Sequence, residues 1–253
     1  MSTTINEMMP GAIVEAETYE PVAREAVAIT DPLSPAAEQY KILRYRLEMI
    51  AKQGVKALAI SSAQHGEGRT TTAVNAALAL GRGGRNRVAL VDCDLRRPSV
   101  HTMLGLRPRE GLCDVVAGRA SLGGCLWRFG SDELYVLPAG NVPDDLSRTL
   151  YDARLSSTLR ELREKFDFVI VDSAPILPLA DVPTLCRDLD GALIVVRAHK
   201  TPGELVQAAL DAMWGVPVHG LVLNAVDERQ TIVPHVTPLA PAPAQKQLMP
   251  KAG

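Results

Sequence analysis

The most constraining feature of the chain is an apolar strand run, Val55–Ser62, that leads into Ala63-Gln64-His65-Gly66-Glu67-Gly68-Arg69-Thr70-Thr71 and then a helical stretch, Thr70–Arg82. A strand, a glycine-bearing loop and a helix in immediate succession form the setting of a phosphate-binding loop. Gly66 and Gly68 let the backbone bend so that successive N–H groups converge on an anion. The helix that follows adds the positive end of its dipole. Thr70 stands where a hydroxyl would meet Mg²⁺. The loop departs from the common pattern twice: Ala63 replaces the first glycine, and Arg69 replaces the lysine before the hydroxyl residue. A guanidinium is planar and its donors point in fixed directions, whereas an ammonium is a compact point charge, so Arg69 does not simply replace a lysine.

The rest of the chain repeats the alternation. Short runs rich in Val, Ile and Leu predict strands at Val55–Ser62, Arg87–Asp92, Leu134–Leu137, Asp167–Asp172, Gly191–Val196 and Gly220–Asn224. Longer segments predict helices at Thr70–Arg82, Leu146–Lys165, Ala180–Leu189 and Gly203–Trp214. This order implies an α/β fold of the P-loop type, a mostly parallel sheet with helices on both faces. Ligands in such sheets sit at the carboxyl ends of the strands. Three runs end at or near Asp92, Asp172 and Asn224. The run ending Val91-Asp92-Cys93-Asp94 delivers two carboxylates from a buried strand, which is costly unless a cation or donors meet them. Asp172, after Phe168-Val169-Ile170-Val171, resembles the strand-end aspartate that holds Mg²⁺. For each aspartate alone, capping of the next helix is the plainer reading.

Ahead of the first strand, Ser34-Pro35 suits a helix start, because serine caps free amides and proline fits the first turn. Ala36, Tyr40, Leu43, Leu47 and Ile50 follow at helical spacing, and Gly54 can end the helix. Residues 1–32 read as a flexible leader, 33–228 as the folded domain, and 229–253, rich in Pro and Ala, as a disordered tail.

Bulk properties narrow the function classes. The net charge of −2 gives no reason to expect nucleic-acid binding. No apolar run reaches the ~18 residues that span a bilayer, and the N-terminus has no secretory signal pattern. Cys93, Cys113, Cys125 and Cys186 form no CxxC pair, so they predict thiols in a reducing compartment and no zinc site.

Between about Asp31 and Asp227 the chain resembles the bacterial tyrosine kinases that accompany capsule and exopolysaccharide export. The segments carrying the resemblance are DPLSPAAEQYKILRYRLE, SSAQHGEGRTTTAVNAALAL, VALVDCDLRRPSVHTMLGL, EGLCDVVAGRASL, YVLPAGNVP, FDFVIVDSAP, ADVPTLCRDLDGALIVVR and GLVLNAVD. The aspartate-rich strand followed by Leu95-Arg96-Arg97-Pro98 separates this family from other P-loop ATPases.

The resemblance implies ATP and Mg²⁺ as cofactors. Gly66, Glu67, Gly68, Arg69, Thr70 and Thr71 would form the phosphate loop, and Asn224 would lie near the adenine. Asp92 and Asp94 would form the second acidic motif, one acting as base toward a tyrosine hydroxyl and one near the metal. Thr70, Asp94 and Asp172 would hold Mg²⁺, with Asp92, Asp94 and Arg69 as the catalytic group. Glu38, Lys41 and Arg44 stand where the family carries a ring-forming motif of one Glu and two Arg, which implies a homo-oligomer. It further implies a cytoplasmic protein, peripheral to the inner membrane through a partner, a chain-length determinant or polysaccharide co-polymerase.

The family's tyrosine cluster near the C-terminus has no counterpart after Tyr151. Of the five tyrosines, Tyr40 and Tyr45 fall on the first helix and Tyr135 in a strand, leaving Tyr19 as the one expected to be free. An active tyrosine kinase, an ATP-binding scaffold with weak or no catalysis, and an ATPase of the partitioning or septum-positioning kind all fit these residues. The last is disfavoured because Gln64 or His65 stands where that group normally has an extra lysine.

Overall fold

The computed structural model describes residues 13–15, 22–130, 132–177 and 181–227. In chain order the elements are β1 (Val14–Glu15), α1 (Val27–Thr30), α2 (Pro35–Ala51), β2 (Ala57–Ser62), α3 (Arg69–Gly81), β3 (Val88–Cys93), α4 (Val100–Met103), α5 (Leu112–Val116), α6 (Leu122–Cys125), β4 (Trp127–Arg128), β5 (Leu134–Leu137), α7 (Leu146–Leu150), α8 (Ala153–Lys165), β6 (Phe168–Ser173), α9 (Asp181–Leu185), β7 (Gly191–Arg197), α10 (Gly203–Ala212) and β8 (Val218–Asn224). A 3₁₀ turn, Cys186–Asp188, follows α9.

The strands form one sheet in the order β1-β4-β5-β3-β6-β2-β7-β8. Every pairing is parallel except β4 with β5. All six expected strands are present. The first, second, fourth, fifth and sixth of those runs differ by a residue or two at their ends. The two extra strands, β1 and β4, are two residues each, too short for any period to show in sequence.

Pleating sends alternate side chains to opposite faces. Leu58, Ile60, Leu90, Ile170 and Leu193 pack against α3, through Ala73, Val74, Ala77 and Leu80, and against Leu47 of α2. Val91, Val171 and Leu137 face the other way, onto Leu112 of α5 and Leu155, Leu159 and Leu162 of α8. Ala59, Ala192 and Ile194 meet Val182, Ala209 and Met213 under α9 and α10. Both faces are covered, so the central strands read as unbroken apolar runs.

Three expectations are corrected. The leader does not extend to residue 32, because Ala26 is fully buried and Val22 and Ala23 pack on the α3 side. The fully buried Asn75 ties this segment down: its Nδ2 donates to Glu25 O (2.7 Å) and its Oδ1 accepts from Ala28 N (3.0 Å). The single helix expected over Leu146–Lys165 is two helices. Asp152 sits at the break and caps α8 by accepting from Arg154 N at 2.8 Å. Tyr45 and Tyr151, not expected to be free, are both well exposed, while Tyr19 lies outside the described residues. So does the 229–253 tail.

Candidate nucleotide site at the carboxyl edge of the sheet

The carboxyl ends of β2, β3, β6, β7 and β8 converge on the 63–71 loop. Gly68 caps α3 with φ +95°, a left-handed conformation that glycine adopts without strain. A Cβ there would lie 1.9 Å from Asn224 Nδ2. Asn224 packs this closely because its Nδ2 donates to Glu67 O at 3.0 Å. It therefore supports the phosphate loop directly.

Glu67 is buried, and its carboxylate staples the loop. One oxygen accepts from Gln64 N (3.0 Å), and the other accepts from the Thr201 hydroxyl. The Thr201 hydroxyl also accepts from Arg197 N at 3.1 Å. Arg197 then reaches over the loop, and its Nη1 donates to Gly66 O at 2.9 Å.

The Arg69 side chain turns inward. Its Nε donates to Ser173 O (2.8 Å), and its Nη1 donates to Ser62 Oγ (2.9 Å) and Gln64 O (2.9 Å). Its Nη2 pairs with Asp94 Oδ2 at 3.0 Å, both side chains being buried. The other Asp94 oxygen accepts from Arg97 N at 3.2 Å.

Asp92 and Asp172 are register partners on adjacent strands, both fully buried. Asp92 Oδ2 accepts from Ser99 N (3.0 Å) and Val100 N (3.1 Å), so it does cap the start of α4. Asp172 Oδ2 accepts from Thr70 Oγ1 at 2.7 Å, and that hydroxyl also meets Ser99 Oγ at 3.0 Å. The second oxygen of each carboxylate, Oδ1, is buried with no hydrogen-bond partner among the described residues. Burial pushes the Asp92 carboxyl well above its ordinary range, and the neighbouring Asp172 and Asp94 charges add to this against the Val100 and Ser99 amides. Burial likewise pushes Asp172 up to about 7, against the Thr70 hydroxyl and the Arg69 charge.

Two unpartnered carboxylate oxygens beside a threonine hydroxyl fit a divalent cation, because oxygen donors of this kind suit Mg²⁺. Thr70 and Asp172 are brought together as expected from sequence. Asp94, the third expected metal residue, is held instead by Arg69. Among the described residues no group of three or more His, Cys, Asp or Glu is placed to hold a metal. Any cation would therefore rely on the hydroxyl and on phosphate oxygens as well.

Desolvation first, then the Arg69 and Arg97 charges, lower the His65 imidazole's affinity for a proton, against the pull of Asp94. At the far edge of the sheet, the expected ring-forming residues stay within the chain. Lys41 pairs with Glu38. Arg44 pairs with Glu48 at 2.8 Å, and its Nη1 donates to Ala79 O (3.0 Å) and Arg82 O (3.3 Å) at the end of α3.

Sequence reading missed Arg197, Thr201, Ser99 and Ser173. Arg197 and Ser173 end their strands, as Asn224 does, and that shared position was the available signal. Thr201 and Ser99 lie in connections whose folding back onto the site no local pattern reveals.

Comparison with known proteins gives the family and the fold. The AAA domain family (AAA_31) matches residues 55–204, more than half of the chain. The tyrosine-protein kinase YwqD of Bacillus subtilis is 33% identical over 191 residues, covering 75% of this chain and 80% of its own. The succinoglycan biosynthesis transport protein ExoP of Rhizobium meliloti is 30% identical over 207 residues, which is 79% of this chain but 26% of that much longer protein. The kinase domain of the Escherichia coli tyrosine kinase ETK superposes with a TM-score of 0.77. It covers 89% of this chain and 93% of the domain at 24% identity, a likeness of fold.

Proposed function

Because the chain belongs to the bacterial tyrosine-kinase family of AAA-type P-loop proteins, we propose that it binds ATP with Mg²⁺ at the carboxyl edge of its sheet and serves polysaccharide synthesis or export. The observation that carries the nucleotide reading is the pair of unpartnered carboxylate oxygens, Asp92 Oδ1 and Asp172 Oδ1, beside the glycine loop and Thr70. Burying an ionised carboxylate without a partner is strongly unfavourable. A cation bridging to phosphates would relieve it.

In this reading the amides from Gly66 to Thr71 cradle the phosphates, and Thr70 and Asp172 hold the metal, which would neutralise charge developing on the phosphates. Asp94, expected among the metal residues, stays paired with Arg69. Asn224, for which the resemblance implies a place near the adenine, braces the phosphate loop through Glu67 O. Asp92, whose environment strengthens its hold on a proton, takes the proton from an incoming tyrosine hydroxyl. The hydroxyl oxygen bonds to the terminal phosphorus as the bond to the ADP oxygen breaks.

One observation favours a second reading, an ATP-binding scaffold with little transfer: Arg69 is consumed by contacts inside the protein.

The wider context follows from the family. Glu38, Lys41 and Arg44 would switch from their internal pairs to a neighbouring copy in a homo-oligomer. A membrane co-polymerase or chain-length determinant would hold the protein at the inner membrane; among the described residues no helix is long and apolar enough to cross one.

The test incubates the full chain with Mg²⁺ and labelled ATP, with and without the cytoplasmic segment of a candidate co-polymerase. ATP should bind, and phosphotyrosine should form in the wild type and vanish in Asp92→Asn. Binding without transfer identifies the scaffold. No binding at all overturns the nucleotide reading.

A further inference from the structure

We infer that Arg197 supplies the positive charge that faces the nucleotide's phosphates in this chain, and that Arg69, at the usual lysine position, is instead an internal strut. The inference rests on the nucleotide reading above.

Four contacts account for four of the five N–H donors of Arg69, and every acceptor is part of the protein: Ser173 O, Ser62 Oγ, Gln64 O and Asp94 Oδ2. The side chain is 8% exposed and that of Asp94 3%. Swinging the guanidinium out to a phosphate would strand a buried carboxylate and two backbone carbonyls. Breaking one partner out of a buried pair is among the costlier local changes a protein can make. A flexible lysine could serve both sides in turn. A rigid fork fitted to four acceptors cannot.

Arg197 has the opposite character. It lies at the carboxyl end of β7, which pairs with the loop's own strand, β2, as far as Ser62↔Val195. Two residues beyond that pair, it stands beside the loop. It is half-exposed, and its guanidinium holds a neutral acceptor, Gly66 O, at 2.9 Å. No ion pair ties it among the described residues. Its position is set twice over. Its backbone N–H is bound to Thr201, whose hydroxyl grips Glu67 of the loop, and in the β7–β8 register it pairs with Asn224, which supports Gly68. A carbonyl in the middle of a phosphate loop is an easy partner to give up for a phosphate oxygen. Charge-assisted bonds of guanidinium to phosphate are about twice as strong as bonds between neutral groups.

The experiment is calorimetric titration of the full chain with ATP and Mg²⁺, paired with thermal melting. The forms compared are wild type, Arg197→Gln, Arg69→Gln, and the double variant Arg69→Lys with Arg197→Gln. Arg197→Gln should lose at least tenfold in ATP affinity with its melting temperature within about 2 °C of wild type. Arg69→Gln should melt well below wild type and, where folded, lose less affinity than Arg197→Gln. The double variant should recover part of the loss, because a flexible lysine restores a cation that can reach the phosphates, which a purely structural role for Arg197 would not allow. The assignment is overturned if Arg197→Gln binds ATP as the wild type does. It is overturned equally if Arg197→Gln loses stability in step with affinity, or if Arg69→Gln loses the more affinity. A wild type that binds no ATP removes the nucleotide reading itself, and that outcome is read before any variant is compared.

Discussion

Two regions of this protein bury aspartates, and they treat them in opposite ways. Asp114, at the start of α5, is 1% exposed and fully met by donors. Its oxygens accept from Gly111 N, Asn141 N, Asn141 Nδ2 and both Nε and Nη2 of Arg119. Burial alone would raise its pKa, yet the Asn141, Arg119 and Gly111 donors outweigh it and hold the carboxyl below its ordinary range. Asp92 and Asp172, at the sheet's carboxyl edge, are buried as deeply. Each keeps an unpartnered oxygen, and both carboxyls are pushed up. A satisfied buried carboxylate holds a fold together. A frustrated one marks a place where the fold waits for something else, as perturbed groups at functional sites do.

The comparison breaks first on stability. Asp114→Ala would leave the Gly111 and Asn141 amides without their acceptor, and should cost about 1–3 kcal/mol for each stranded donor in urea unfolding. Asp172→Asn should cost the ligand-free protein little or even stabilise it at pH 8, while abolishing Mg²⁺-dependent nucleotide binding. A large loss of stability in Asp172→Asn would erase the distinction between the two regions.

The next effect is on pH dependence. Between the ordinary 3.8 and about 7, folded Asp172 binds more protons than unfolded Asp172, so its contribution to stability is full below that window and is lost as pH rises through it. Melting temperature without nucleotide should therefore fall between pH 5 and pH 8, and Asp172→Asn should flatten the fall. Asp114 acts with the opposite sign, because its folded pKa is depressed: its contribution is present above its ordinary pKa and is lost on acidification.

A smaller effect is expected at the loop. Gly68→Ala forces a side chain into a left-handed backbone and against Asn224. It should cost about 1–3 kcal/mol and weaken nucleotide binding, whereas Asn224→Ala should cost about 1 kcal/mol by removing one hydrogen bond. Smallest is Arg44→Ala, on α2 and bonded to the carbonyls at the end of α3, about 1 kcal/mol or less on the monomer. If the same variant also loses oligomers by light scattering, the residue serves both the helix end and the contact between copies.

Much of this was legible from residues alone. Apolar runs bounded by Gly, Asp and Asn marked the six long strands, because a strand covered on both faces leaves no other pattern, and their polar ends lie at the candidate site. Asp172 meeting Thr70 followed from that placement. Three features were not legible. The strands at Val14–Glu15 and Trp127–Arg128 are too short to carry a period. The docking of residues 22–30 joins the burial of Ala26 to the Asn75 amide, which lies inside a run of helix-forming residues. The inward turn of Arg69 is decided by acceptors from two strands, Ser62 and Ser173, from Asp94 just beyond β3 and from Gln64 in the loop. No stretch of sequence holds them together.

The most direct measurement is titration of wild type and Asp172→Asn with ATP, each with and without Mg²⁺, at pH 7.5. Nucleotide binding that depends on Mg²⁺ in the wild type and is absent in a fully folded Asp172→Asn is the expected result. Equal binding by both proteins, or none by the wild type, would contradict the assignment of the frustrated carboxylates to a Mg²⁺–nucleotide site.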